Sequence, residues 1–180
     1  MRLSWDKYFL AMAKLAASRS GCNSRPTGAV IVFNHRILAT GYNGSLPGQP
    51  QCTDDGDKYC LRRLTLPDDS GSIKYQECRS IHAEQNAINQ MAMQSSEIPF
   101  GSILYCTLEP CIICLKNIAS VGIREVIFEL EYESNDKKRD SFWKDKFKEY
   151  GINARQVTLS NEDKDLIIEI MLYKTSTRRL

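Results

Sequence analysis

The apolar positions near the start of the chain recur at helical spacing. Trp5, Tyr8, Phe9, Met12, Leu15 and Ala16 lie three or four apart or side by side, which sets them on one face. Ser4 stands where a capping hydroxyl would accept from the first turn. A surface helix lying over a sheet is predicted. Two β-rich runs follow, Gly28 to Phe33 and Ile37 to Tyr42, and the polar Asn34, His35 and Arg36 between them mark a hairpin of antiparallel strands. On this reading His35 is a turn residue.

From Asn43 to Cys78 the periodicity fails. Gly44, Pro47, Gly48 and Pro50 crowd the first part, so no element is predicted there, and an irregular insertion occupies about residues 45–79. A loop this long inside a compact domain is usually functional or pinned by something. Helical spacing returns near Ile81 and runs to about Met93. A strand at Ile103 to Thr107, a helix from Pro110 to Val121 and a strand at Glu125 to Leu130 come next. Asp140 to Tyr150 reads as a helix stopped by Gly151, Arg155 to Leu159 as a last strand, and about 161–173 as a C-terminal helix begun after Ser160. Strands alternating with helices imply a parallel section beside the antiparallel hairpin, hence an α/β fold with a five-stranded mixed sheet.

With 180 residues and no linker or repeat, the chain reads as a single domain, 1–180, able to bury a core without disulfides. Lys and Arg total 24 against 22 Asp and Glu, a net charge of +2 that gives no field for a polyanion, so a nucleic-acid partner is not expected. No stretch is apolar for long enough to cross a bilayer, and Asp6, Lys7, Lys14 and Arg19 interrupt the opening as no export signal would allow. A cytoplasmic setting follows, in which the seven cysteines are reduced thiols suited to metal binding or chemistry.

Two short strings concentrate that chemistry. His82-Ala83-Glu84 opens one predicted helix, and Pro110-Cys111-Ile112-Ile113-Cys114 opens another. One imidazole and two thiolates satisfy three corners of a zinc tetrahedron and keep the fourth for water, the arrangement of a catalytic site. Cys111 and Cys114, three apart, put both sulfurs over one helical face, and Pro110 suits the first helical position because it has no N–H to satisfy. At the positive end of the helix dipole the thiols favour the thiolate. Glu84 is placed to act as general base beside the metal, taking a proton from water and returning protons to a ring nitrogen and departing ammonia. H-x-E with P-C-x-x-C is the signature of zinc deaminases of nucleobases.

With those residues in view, the chain resembles the deoxycytidylate deaminases of the cytidine deaminase-like superfamily over about Leu3 to Val157. The likeness lies in Cys22 to Val32 (CNSRPTGAVIV), Ile37 to Gly44 (ILATGYNG), His82 to Ile88 (HAEQNAI) and Thr107 to Ile123 (TLEPCIICLKNIASVGI). It implies a three-layer α/β/α cytidine deaminase-like fold and hydrolytic deamination of dCMP to dUMP, which feeds thymidylate synthesis. It further implies that Asn43 contacts the sugar, Arg25 the phosphate, and that Tyr132 closes over the substrate, with Ala83, Glu109 and Pro110 also at the substrate. A homohexamer is implied too, activated by dCTP and inhibited by dTTP, with Mg2+ accompanying the effector near Asn43 and Gly44. From the residues alone, Asn43 is a good turn residue, Arg25 a surface charge and Tyr132 a loop aromatic.

Other readings remain open. The T-L-E-P-C string resembles deaminases of tRNA adenosine and of guanine, cytidine is a further candidate base, and a zinc-stabilised nucleotide-sensing module without catalysis is a reading of another class. Cysteine arithmetic leaves Cys22, Cys52, Cys60 and Cys78 flanking or inside the long irregular stretch, with Cys106 in a strand. Four thiolates would close a second, structural zinc site that orders the loop. No C-x-x-C spacing joins any two of them, and the alternative is four ordinary thiols.

Overall fold

The computed structural model describes residues 2–56, 58–60, 78–132 and 144–172. Most of the expected insertion and the first part of the helix expected at Asp140 to Tyr150 lie outside them. In chain order come helix α1 (Trp5–Ala17), strands β1 (Gly28–Phe33) and β2 (Arg36–Tyr42), and helix α2 (Ala83–Met93). Then follow β3 (Ile103–Leu108), α3 (Ile112–Ser120), β4 (Glu125–Leu130), β5 (Asn153–Gln156) and α4 (Asn161–Leu172). Residues 144–149 are also helical.

The five strands form one sheet in the order β2-β1-β3-β4-β5. β1 runs antiparallel to both β2 and β3, whereas β3, β4 and β5 are mutually parallel. The sheet is therefore mixed, as expected. The hairpin is tighter than the sequence suggested: Phe33 pairs with Arg36, leaving Asn34 and His35 as a two-residue turn with φ of 48° and 57°. Two left-handed residues are what a hairpin whose turn twist matches its strands requires, and Asn tolerates that region well.

Alternation along the strands divides the core into two layers. Val30, Val32, Tyr105 and Ile127 face α1, packing on Phe9, Leu10 and Ala13. Ala29, Ile31, Leu104, Cys106, Val126 and Phe128 face the other way, onto Ala83, Ala87 and Met91 of α2 and Leu115 and Ile118 of α3. This is the α/β/α sandwich the resemblance implied. The buried stripe of α1 is Phe9, Leu10, Ala13 and Ala17, and Trp5, Tyr8 and Leu15, expected inside, are 41–51% exposed. The reason is closeness: a Cβ on Gly28 would lie 2.0 Å from the Ala13 carbonyl oxygen. At that approach only the small Ala13 and Ala17 fit, while Phe9 and Leu10 fill the layer beyond it and Trp5 lies at the rim, stacked on His35 with ring centroids 4.4 Å apart.

A second close approach seats α2. A Cβ on Gly41 would stand 2.1 Å from the Ala83 carbonyl oxygen, so the first turn of α2 rests directly on β2. Just before it, Gly44 and Ile81 exchange backbone hydrogen bonds of 3.2 and 2.9 Å in an isolated antiparallel bridge. Ile81 is therefore extended, and the helix starts two residues later than expected. α4 is tied to α1 by an ion pair of 2.6 Å between Lys7 and Asp163. No helix among the described residues is long and apolar enough to cross a membrane.

Candidate active site

His82 is the N-cap residue of α2 and Cys111 that of α3, both with extended backbones. The two helices thus begin at one point on the sheet edge, with Cys114 one turn into α3. His82 Nδ1 lies 3.2 Å from Cys114 Sγ and 3.5 Å from Cys111 Sγ. Tetrahedral zinc with Zn–S near 2.3 Å and Zn–N near 2.0–2.1 Å would separate such donors by about 3.6 Å. The three donor atoms all lie within 4.8 Å of one another, and theirs is the only group of three or more candidate ligands found among the described residues. The site fits zinc. Pro110 precedes the N-cap and is fully buried, so it fixes the approach to α3 and does not occupy its first turn as expected.

Among themselves the three donor side chains have the electrostatics of an imidazolium–thiolate pair. The hydrogen bond to Cys114 is the main force that brings the Cys111 thiol down to about 4; burial opposes it and His82 assists. The bond to Cys111 lifts His82 to about 9 against the opposing effect of burial. Cys114, donating to Cys111 and buried, is pushed well above its ordinary value. Glu84 is 4% exposed, and burial raises its carboxyl pKa while the charge on His82 pulls it down. Its carboxyl also interacts with Cys114, at the metal cluster.

A cavity of about 80 Å³ opens over this cluster, walled by His82, Ala83, Glu84 and Cys111 on the chemical side and by Arg25, Asn43, Glu109 and Tyr132 on the other. The Arg25 guanidinium carbon sits 5.5 Å above the Tyr132 ring. A larger cleft of about 760 Å³ adjoins it, sharing Arg25, Thr27 and Leu108 as a common wall. The chemistry belongs to the small cavity, where the metal donors and the buried carboxyl converge, although the neighbour is roomier.

Residues 3–130 match the model of the cytidine and deoxycytidylate deaminase zinc-binding region. The chain belongs to that family. The deoxycytidylate deaminase of Saccharomyces cerevisiae is 35% identical over 168 residues, covering 93% of this chain and 49% of the relative. That of Mycobacterium phage D29 is 39% identical over 133 residues, covering 72% of this chain and 98% of the phage protein. This deaminase-family chain thus spans about half the length of the budding-yeast relative and 38% of the Schizosaccharomyces pombe one, but nearly all of the phage one. The solved dCMP deaminase of cyanophage S-TIM5, in complex with dCMP and dUMP, superposes with a TM-score of 0.65 at 30% identity, covering 87% of this chain and 99% of that one.

Within this family member the expected substrate residues divide. Ala83, Glu109, Arg25, Asn43 and Tyr132 line the cavity; Pro110 lies buried behind it. Asn43 is heavily engaged by the protein: its Oδ1 accepts from Ser20 Oγ (2.6 Å) and Thr27 N (2.8 Å), and its Nδ2 donates to Arg25 O (2.9 Å). One amide hydrogen is left over for a ligand. Gly44 spends both backbone groups on Ile81.

The four thiols expected from cysteine arithmetic to hold a second zinc do not form a group of three donors within 4.8 Å of one another, although Cys60 and Cys78 both neighbour Cys52. Cys22 and Cys78 line the catalytic cavity, while Cys52 is buried with its sulfur 3.8 Å from Ser80 Oγ. Burial, with neighbouring Cys60 and Cys78 adding to it, raises the Cys52 thiol to about 11, so it is held as a neutral thiol. Sequence reasoning missed Ser20 and Thr27, which hold Asn43, and Lys144, 3.7 Å from Glu109. Their only signal was proximity to motif residues, and for Lys144 there was none.

Proposed function

We propose that the chain deaminates dCMP to dUMP, releasing ammonia. The observation that carries this is the convergence of three zinc donors and the buried Glu84 on one cavity that the Arg25–Tyr132 pair also lines. At about 80 Å³ the cavity is far smaller than the roughly 300–1,000 Å³ of pockets that enclose a whole ligand. It takes a base, and the sugar phosphate stays at the mouth, where Arg25 offers a charge-assisted contact. The nucleotides bound in the cyanophage structure support this choice of substrate.

Zinc held by His82, Cys111 and Cys114 supplies Lewis acidity, which makes water a nucleophile near neutral pH. Glu84 accepts the proton that water gives up as its oxygen bonds to C4 of the cytosine, the carbon bearing the amino group. The same carboxyl delivers that proton to N3, then takes the second proton from the hydroxyl now on C4 and passes it to the amino nitrogen. The C4–N bond breaks, ammonia leaves, and a carbonyl remains. Burial, which keeps the Glu84 pKa raised, suits a group that must both take and return protons.

The family resemblance supports a homohexamer in the cytoplasm whose activity dCTP raises and dTTP lowers, with Mg2+ beside the effector near Asn43 and Gly44. The T-L-E-P-C string supports tRNA adenosine or guanine as another substrate, but a net charge of +2 offers little to an RNA backbone. Turnover of dCMP, CMP, deoxycytidine, guanine and tRNA, each with and without dCTP, tests the reading. A kcat/KM for dCMP well above that for deoxycytidine is expected. Equal rates on nucleoside and nucleotide, or turnover of guanine or tRNA alone, would overturn it.

A further inference from the structure

Glu109 grips the exit of β4 at two points. Its backbone N–H donates to Leu130 O at 2.8 Å, and its carboxylate accepts from the Tyr132 N–H at 3.1 Å, spanning Glu131. The carboxylate is 5% exposed and lies within the wall of the catalytic cavity, yet its polar contacts run away from the metal, toward the segment that carries Tyr132. Lys144, on the helical residues 144–149, braces this grip from outside: its Nζ is 3.7 Å from Glu109 Oε2 and 3.2 Å from Glu131 Oε2. The Tyr132 ring, so placed, lies under the Arg25 guanidinium at 5.5 Å, and the Arg25 backbone is fixed separately by Asn43 Nδ2.

We propose that Glu109, braced by Lys144, is a positioning residue that sets the Tyr132–Arg25 pair at the mouth of the cavity, and through it the preference for a phosphorylated substrate. The Tyr132 backbone just past β4 is tied to Glu109, and Arg25 is an exposed side chain whose described ring partner is Tyr132. A charged acceptor on the Tyr132 N–H outweighs a neutral one by roughly twofold in strength. Glu109 thus acts on the phosphate end of the ligand without touching the reacting carbon. The specificity part of this inference rests on the dCMP reading given above; the backbone part does not.

The test uses the full-length zinc-loaded protein and its Glu109→Ala, Glu109→Gln, Lys144→Met and Lys144→Arg variants. Two readouts are taken: kcat and KM on dCMP and on deoxycytidine, and hydrogen exchange of the Tyr132 amide. Glu109→Ala should raise KM for dCMP and speed Tyr132 exchange, each by about tenfold, the loss of one hydrogen bond to a charged group. Glu109→Gln, which keeps an acceptor, should recover most of the amide protection. Lys144→Met should raise KM for dCMP by a smaller factor with deoxycytidine turnover and zinc unchanged, and Lys144→Arg should restore it. Equal losses in kcat on both substrates with Tyr132 protection intact would overturn the proposal. If the unaltered protein shows no preference for dCMP, the substrate reading fails by itself, and Tyr132 exchange still decides whether Glu109 holds this backbone.

Discussion

Replacing Gly41 by alanine adds one methyl group at the seat of α2. Gly41 has no left-handed backbone, so alanine meets no conformational penalty there and the whole effect is steric. The new Cβ would stand 2.1 Å from Ala83 O, 2.5 Å from Ala87 N and 3.1 Å from Ala87 Cα, all backbone atoms that no rotamer can move. Opening the first gap from 2.1 Å to the 3.4 Å of an ordinary contact means lifting the first turn of α2 by about 1.3 Å. Ala83 lies between His82 and Glu84, so the lift carries away one metal ligand and the proton carrier together. Metal sites tolerate about 0.2 Å in ligand distance, and a misplacement of about 1 Å can cost some hundredfold in rate. Overpacking of this kind also costs about 1–3 kcal/mol of stability. The expected result is a folded protein, less stable in urea, with lowered zinc content and ammonia release down at least about a hundredfold. Gly48→Ala serves as control: its φ of +79° strains an alanine, but nothing lies within 4 Å, so stability falls slightly while zinc and activity stay. Full zinc and near-normal turnover in Gly41→Ala would refute the idea that this contact seats the site.

Glu84→Gln should keep zinc and fold yet lose deamination by at least about a hundredfold, the usual share of general acid–base catalysis; wild-type turnover with metal confirmed would remove Glu84 from the mechanism. Zinc binding at pH 7 should release about two protons, because His82 near 9 and Cys114 well above its ordinary value must give theirs up while Cys111 near 4 is already a thiolate. Affinity should therefore rise with pH by two protons per zinc between about 4 and 9 and more gently beyond, where only Cys114 still gives one up, and calorimetry in buffers of different ionisation heat reads the count; release of no protons would contradict the described cluster. Metal analysis should find at least one zinc per chain, held by the one set of three donors grouped among the described residues; a second zinc lost in Cys52→Ser would show that the four thiols close in as well.

What could be read in the sequence is what short stretches decide. The hairpin strands, β3 and β4 were legible as short β-rich runs, since β1, β3 and β4 are almost wholly buried; the last strand, expected at Arg155 to Leu159, lies earlier, at Asn153–Gln156. The zinc donors were legible for the same reason: each lies at a helix start, and the residue types alone name the chemistry. The face of α1 was not, since the approach of Ala13 depends on Gly28 of a different element and Trp5 finds its partner in His35 of the hairpin turn.

The mouth of the cavity is hidden from sequence by the same logic at longer range. Asn43 looked like a turn residue or a sugar ligand, yet most of its capacity goes to Ser20, Thr27 and Arg25, contacts fixed only when β2 lies beside the start of β1. Glu109 sits one residue from the metal-binding string and reads as part of it, but its carboxylate serves Tyr132 and Lys144, 23 and 35 positions onward. A residue's place in a motif therefore predicts its direction only as far as the element that carries it extends. The chemistry of this site is local and its selectivity is tertiary, so substitutions inside the two short strings should abolish turnover, while those that shift substrate preference should scatter across segments with no motif at all.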